Sequence, residues 1–317
     1  MRDEVEQLFT ELGRAIIGKE KEKKIILAAV FAGGHVLLED IPGVGKTSLA
    51  LSFSRAMGLT ARRMQFTSDV LPSDVVGYHI FSKEGEMQYI EGVLTCNLFL
   101  ADEINRTSAK TQSALLEVME EGKVTVDGIT RPVPEPFFVI ATENPIGSIG
   151  TQMLPESQLD RFMICLSLGY PRHRDEVQIL KDRKKENPLE QIQPVMGKER
   201  LLDIRHEVED IYIADEIYDY MVNLSEETRS HAWLETGLSP RATLALARIV
   251  QALAWIEDRD YVLPEDIVFA FPFVAAHRVI FNTNARINQK GPKELFENIL
   301  KKVRLPENIE SLRGRRL

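Results

Sequence analysis

The stretch Asp40-Ile-Pro-Gly-Val-Gly-Lys-Thr47 constrains this chain more than any other. It follows a short apolar run, His35-Val-Leu-Leu-Glu39, and precedes Ser48 to Met57, whose pattern reads as a helix. A strand that turns through closely spaced glycines into a helix aims backbone N–H groups and a positive helix end at one point, an arrangement suited to phosphate. In such a loop Lys46 is expected to reach the β- and γ-phosphates and Thr47 to offer its hydroxyl to Mg²⁺, while Pro42, Gly43, Val44, Gly45 and Ser48 complete the wrap. Asp40 stands where the general pattern G-x-x-x-x-G-K-[ST] has its first glycine, so that position of the pattern is unmet.

A second signal lies downstream. Asn97-Leu-Phe-Leu-Ala-Asp102-Glu103 is an apolar strand ending in two acids, which a parallel sheet would bring to the edge that carries the phosphate loop. Asp102 is then expected to hold Mg²⁺, directly or through water, and Glu103 to polarise an attacking water as general base. A third strand ends in Thr142-Glu-Asn144, and Asn144 has the reach to hold that water. Read alone, Asn144 would be a turn former before Pro145.

The rest of the chain fits an α/β unit followed by helices. Apolar runs at His35 to Glu39, Arg63 to Thr67, Leu98 to Asp102, Phe137 to Thr142 and Met163 to Leu168 alternate with helical stretches, which implies a mainly parallel sheet covered on both faces. Glu84-Gly85 and Asp127-Gly128 sit between alternating runs and predict two hairpins, at about 78–91 and 123–131. After Pro171 the pattern predicts helices only: His173 to Glu186, Lys198 to Asp210, Asp215 to Ser230, Pro240 to Glu257 and Pro264 to Ile280. Asn187 to Pro194 reads as a linker. We therefore expect an α/β nucleotide-binding domain over residues 1–190 and a smaller all-helical lid over 191–317.

With 317 residues there is room for about two domains. The formal net charge of -9 argues against a surface built to neutralise a nucleic-acid backbone. Cys96 and Cys165 lie in or beside apolar runs, as buried reduced thiols do, and the histidines at 35, 79, 173, 206, 231 and 277 have no metal-ligand spacing. The acidic start lacks the basic-then-apolar pattern of a signal peptide, no apolar run approaches a membrane span, and the expected location is the cytoplasm.

The order of phosphate loop, adjacent Asp-Glu, strand-terminal Asn, Leu159-Asp-Arg161-Phe and Ser239-Pro-Arg241 resembles AAA+ ATPases. Within them, Glu39 to Thr47, Ala101-Asp-Glu-Ile-Asn-Arg106, Lys110-Thr-Gln-Ser-Ala-Leu-Leu-Glu117 and Leu154-Pro-Glu-Ser-Gln-Leu-Asp-Arg161-Phe162 resemble the MoxR family, which tolerates Asp40. The match runs from about Ile16 to Arg241.

The resemblance implies a P-loop NTPase (AAA+) sheet sandwiched by helices with a helical lid, working as a homo-oligomeric ring, usually a hexamer, on ATP with Mg²⁺ and releasing ADP. It makes Arg161 the finger that reaches a neighbour's γ-phosphate and Arg241 the lid arginine that senses the subunit's own nucleotide. Ile17 and Gly18 match the segment lining the adenine pocket, and the hairpins would face the ring axis or a partner. Asn105 and Arg106 would either relay subunit contact to Glu103 or play a capping role.

The family also implies a chaperone-like role in maturing partner proteins, often ones with a von Willebrand factor A domain. Alternatives are a nucleic-acid motor, the ATPase subunit of a metal chelatase, and a scaffold that binds ATP without turnover. Glu103 and Arg161 together argue against the scaffold, since a pure binder needs neither a base nor a finger.

Overall fold

Short strands rich in β-formers and bounded by turns build the centre of the molecule. The computed structural model describes residues 1–41, 43–83, 85–144, 154–182 and 187–306. Its strands are β1 (Val36–Glu39), β2 (Ala61–Gln65), β3 (Tyr78–Phe81), β4 (Met87–Ile90), β5 (Leu98–Asp102), β6 (Lys123–Val126), β7 (Ile129–Pro132), β8 (Phe138–Glu143), β9 (Ile164–Leu166), β10 (Leu234–Thr236) and β11 (Ile280–Phe281). Its helices are α1 (Asp3–Ala15), α2 (Glu20–Phe31), α3 (Lys46–Ala56), α4 (Pro72–Val76), α5 (Ala109–Glu121), α6 (Glu156–Leu159) and α7 (His173–Asp182). Beyond these lie α8 (Lys198–Glu209), α9 (Asp215–Ser230), α10 (Pro240–Ile256), α11 (Pro264–Ala275), α12 (Thr283–Ile287) and α13 (Pro292–Lys302).

Five strands form one sheet in the order β2-β5-β8-β1-β9, and every pairing in it is parallel. Because side chains alternate across a strand, each strand feeds both faces. Leu38, Leu100, Ile140 and Ile164 pack with α1, α2 and α3 on one face, while Leu37, Phe99, Val139 and Cys165 pack with α5 on the other. The edge strand β2 departs from the expectation of strands buried on both sides, since Arg62 and Arg63 are exposed.

Both hairpins form, β3 with β4 and β6 with β7. They are also joined: His79 on β3 meets Asp127 at 2.8 Å, and the Arg131 guanidinium lies 4.0 Å from the centre of the Tyr89 ring. Phe81 and Met87, opposite each other beside the turn of the first hairpin, are solvent exposed. Of its predicted turn, Glu84 lies outside the described residues.

The helical half follows the predicted pattern through α10. The helix expected to run to Ile280 stops at Ala275, because the chain turns at Ala276 and Ile280–Phe281 pairs with β10 instead. The last residues expected in α7, at 183–186, lie outside the described residues, as does the basic end. The segment read as a linker is tied down rather than free. Arg55 donates to the Leu189 carbonyl, Gln193 N–H donates to Glu11 at 2.9 Å, and Val195 N–H to the Ala56 carbonyl at 2.7 Å.

The expected boundary near residue 190 does not divide the hydrophobic core. A single cluster of buried side chains runs from α1, α2 and the sheet into α8, α9, α10 and α11. Its centre is Trp255 on α10, whose ring stands edge-on to Phe31 at 5.2 Å while the Arg2 guanidinium lies 4.4 Å from its centre. Arg278 makes the second joint. It pairs with Asp160 at 2.6 Å and donates to the carbonyls of Asp160, Phe162 and Met163, so the turn before β9 is gripped by the helical half.

Candidate nucleotide site

The parallel register brings the carboxyl ends of the strands together, with Glu39 beside Glu143 and Gln65 beside Asp102. This edge carries the phosphate loop. Gly43 and Gly45 adopt φ of 88° and 97°, a backbone region that favours glycine, and Gly45 opens directly into α3. Gly43, Val44 and Gly45 thus occupy the strand-to-helix turn and Lys46, Thr47 and Ser48 open α3, as expected from the sequence, while Pro42 lies outside the described residues.

Lys46 is buried and folds back to donate from Nζ to the Asp40 carbonyl at 2.7 Å. Burial lowers its pKa from the ordinary lysine value, against the opposing pull of Asp102, Asp40 and Glu103. An amine held this way gains a stronger partner when a polyphosphate enters the loop.

The structure explains Asp40. Its carboxylate accepts from Ser167 Oγ at 3.0 Å, from Gly169 N–H at 3.2 Å and from Leu168 N–H. The residue that breaks the general glycine pattern is therefore a strut between the phosphate loop and the end of β9. Lys19 continues it, donating to the carbonyls of Leu168 and Tyr170. Gly18, beside Ile17, has φ of 68° and faces Asp175, whose Oδ2 would lie 2.8 Å from an added Cβ. The expected adenine segment and the phosphate loop thus meet at the end of β9.

Asp102 and Glu103 stand at the tip of β5. Thr142 links them to β8: its hydroxyl donates to Asp102 Oδ1 at 2.6 Å and accepts from Glu103 N–H at 2.8 Å. Arg63 pairs with Asp102 Oδ2 at 2.7 Å, so this carboxylate meets a cation through water or by displacing Arg63. Glu103 has φ of 57°, a conformation that costs a non-glycine residue energy and that clusters at functional positions. Burial opposes ionisation of Glu103, but hydrogen bonds from Arg106, Asn144 and Gln65 outweigh it and hold the carboxyl below its ordinary value. It is charged at neutral pH and can accept a proton.

Asn144 and Asn105 exchange side-chain and backbone contacts at 3.1 and 3.4 Å, which locks the tips of β5 and β8 together. The buried Oδ1 of Asn144 has no partner. Arg106 pairs with Glu103 at 2.7 Å within the same subunit.

Arg161 and Arg241 lie elsewhere. Val36 pairs with Ile164, so the residues just before β1 and just before β9 share the amino edge of the sheet. There Gly33, Gly34, Met163, Arg161 and Arg241 line a cavity of about 380 Å³. Roughly 13 Å of β1 separates this edge from the phosphate loop. Arg241, expected to sense the subunit's own nucleotide, sits at the edge opposite the phosphate loop, where the packing of α10 against α2 carries it beside Arg161. Sequence reading also assigned no site role to Thr142, which it met only as part of a strand end, or to Arg63, Gln65 and Glu120.

Comparison with known proteins agrees with this fold. Residues 35–164 match the model of the ATPase family associated with various cellular activities (AAA), and residues 226–299 match that of the AAA lid domain. Protein YeaC of Bacillus subtilis (strain 168) is 43% identical over 95% of both chains. Chaperone MoxR1 of Mycobacterium tuberculosis (strain ATCC 25618 / H37Rv) is 36% identical over 96% of this chain and 82% of its own. A crystal structure of a candidate ATPase from Cytophaga hutchinsonii superposes with a TM-score of 0.88 at 35% identity, covering 96% of each chain. A strand-and-helix AAA+ domain with a C-terminal lid is the class these features define. The chain belongs to the MoxR family of AAA+ ATPases.

Two predictions follow from the strand tips. Asp40→Ala leaves three donors without their acceptor and should weaken ATP binding by about tenfold while destabilising the fold by about 2 kcal/mol. Calorimetric ATP affinity equal to wild type would contradict the strut. Glu143, half-buried and facing Glu39, has its pKa raised from 4.5 to about 7. The fold therefore favours its protonated form, and stability falls as pH rises from about 4.5 through 7. Glu143→Gln should gain on the order of 2 kcal/mol over wild type at pH 8 and almost nothing at pH 4.5, read from urea unfolding at both values. An equal gain at both would contradict burial of the charge as its origin.

Proposed function

We propose that this protein hydrolyses ATP as a ring of identical subunits, usually six in the family resemblance, and uses the energy to remodel protein clients. Lys46 and the N–H groups of the loop bind the polyphosphate. Thr47 and Asp102 are hard oxygen donors that suit Mg²⁺, which when bound supplies positive charge against the phosphates. Glu103 takes the proton of the attacking water, and the unpaired Oδ1 of Asn144 accepts another hydrogen from it. ADP and phosphate are the products.

The observation that carries the ring is the separation of edges. Arg161 and Arg241 share a cavity that the subunit's own phosphate loop does not reach, so the phosphate they serve is a neighbour's. Planar guanidinium groups suit that task, offering several donors to the charge that develops on a transferring phosphoryl group.

The client reading rests on kinship with chaperone MoxR1 and on the exposed apolar end of the first hairpin, Phe81 and Met87. Proteins with a von Willebrand factor A domain are the client class that the family resemblance suggests, and the cytoplasm the location. Among the described residues no helix is long and apolar enough to cross a membrane.

Subunit mixing tests the reading. Lys46→Ala subunits bind ATP poorly yet still present Arg161 and Arg241, while Arg161→Ala subunits keep an intact loop. Each should be inactive alone, Arg161→Ala by at least 10³-fold on the scale known for arginine fingers. Their mixture should recover part of the activity wherever a good loop meets a good arginine. A mixture that forms mixed assemblies and stays inactive would show that Arg161 does not act between subunits.

A further inference from the structure

Glu120, in the last turn of α5, belongs to none of the motifs, yet both edge arginines converge on it. Its Oε2 lies 2.9 Å from Arg161 Nη1, and its Oε1 accepts from Arg241 Nη2. One carboxylate thus spans two guanidinium groups carried by separate segments, the turn before β9 and the first turn of α10. Apart from this bond, Arg161 Nη1 donates to the Leu116 carbonyl at 2.6 Å, and the buried Nε of Arg161 has no partner. The other acid lining the cavity, Asp160, is taken up by Arg278 and Ser239.

Without Glu120, two like charges would face each other across the cavity, and each would swing on a long flexible side chain. A surface ion pair contributes little to stability, so the value of this one must be sought in orientation. We infer that Glu120 is a positioning residue that holds Arg161 and Arg241 as one pair, ready to pass together onto a neighbour's polyphosphate. The inference rests on the reading that these arginines act between subunits. The carboxylate is also a stand-in for that phosphate: it occupies the arginines until a stronger anion takes its place.

The test uses the full chain carrying Glu120→Gln, which keeps the shape and helix propensity and removes the charge. Turnover at saturating ATP should fall by at least tenfold, because misaligned reacting groups cost about that much or more. ATP affinity should stay within about twofold, since Glu120 is on the edge away from the loop, and the melting temperature should barely move. Glu120→Asp should recover part of the loss. When Glu120→Gln subunits are mixed with Lys46→Ala subunits, activity should return, because the latter present correctly held arginines to intact loops.

Wild-type turnover in Glu120→Gln would overturn the inference. So would an inactive Glu120→Gln and Lys46→Ala mixture when the Arg161→Ala and Lys46→Ala mixture works, since the fault would then lie in the variant's own site or fold. If the latter mixture fails too, the intersubunit reading falls and the role of Glu120 falls with it.

Discussion

The parallel register of five short strands gives the molecule two chemically different edges, and the rest of the structure is arranged around that difference. Three of the five carboxyl ends carry the groups proposed for phosphate or water: the loop after β1, Asp102 and Glu103 at the tip of β5, and Asn144 after β8. The amino ends of β1 and β9 border a cavity with Arg161, Arg241, Arg248 and Arg278 in its lining. A rigid strand keeps binding loop and arginines apart within a subunit, and a closed ring would bring them together between subunits.

The helical half sets the position of the arginines. Packing of Trp255 against Phe31 fixes α10 on α2, and the bonds of Arg278 fix α11 to the turn that carries Arg161. With a continuous core across the two halves, a movement of the lid would carry Arg161 with it. The helix α5 connects the edges, starting next to the Glu103–Arg106 pair and carrying Glu120 in its last turn. Its 13 residues span about 20 Å.

Much of the carboxyl edge was legible in the sequence because its chemistry is local. A strand, two glycines, Lys46 and Thr47 are consecutive, and the acids and Asn144 each close an apolar run. Residues that act through tertiary contact were not legible. Thr142 looks like any strand residue until β8 lies beside β5, and Asp40 looks like a defect until the end of β9 supplies its donors. The place of Arg241 at the amino edge was not legible either, because a motif records spacing and does not record the face on which a helix docks. Proline content suggested a linker at 187–194, whereas hydrogen bonds to α1 and α3 hold it.

The dependence of ATP turnover on protein concentration tests most directly the claim that two subunits build each site. Turnover per subunit should be very low when sedimentation shows monomers, rise more steeply than linearly as assemblies form, and level off once rings are complete. Full turnover per subunit in monomeric solution would contradict it.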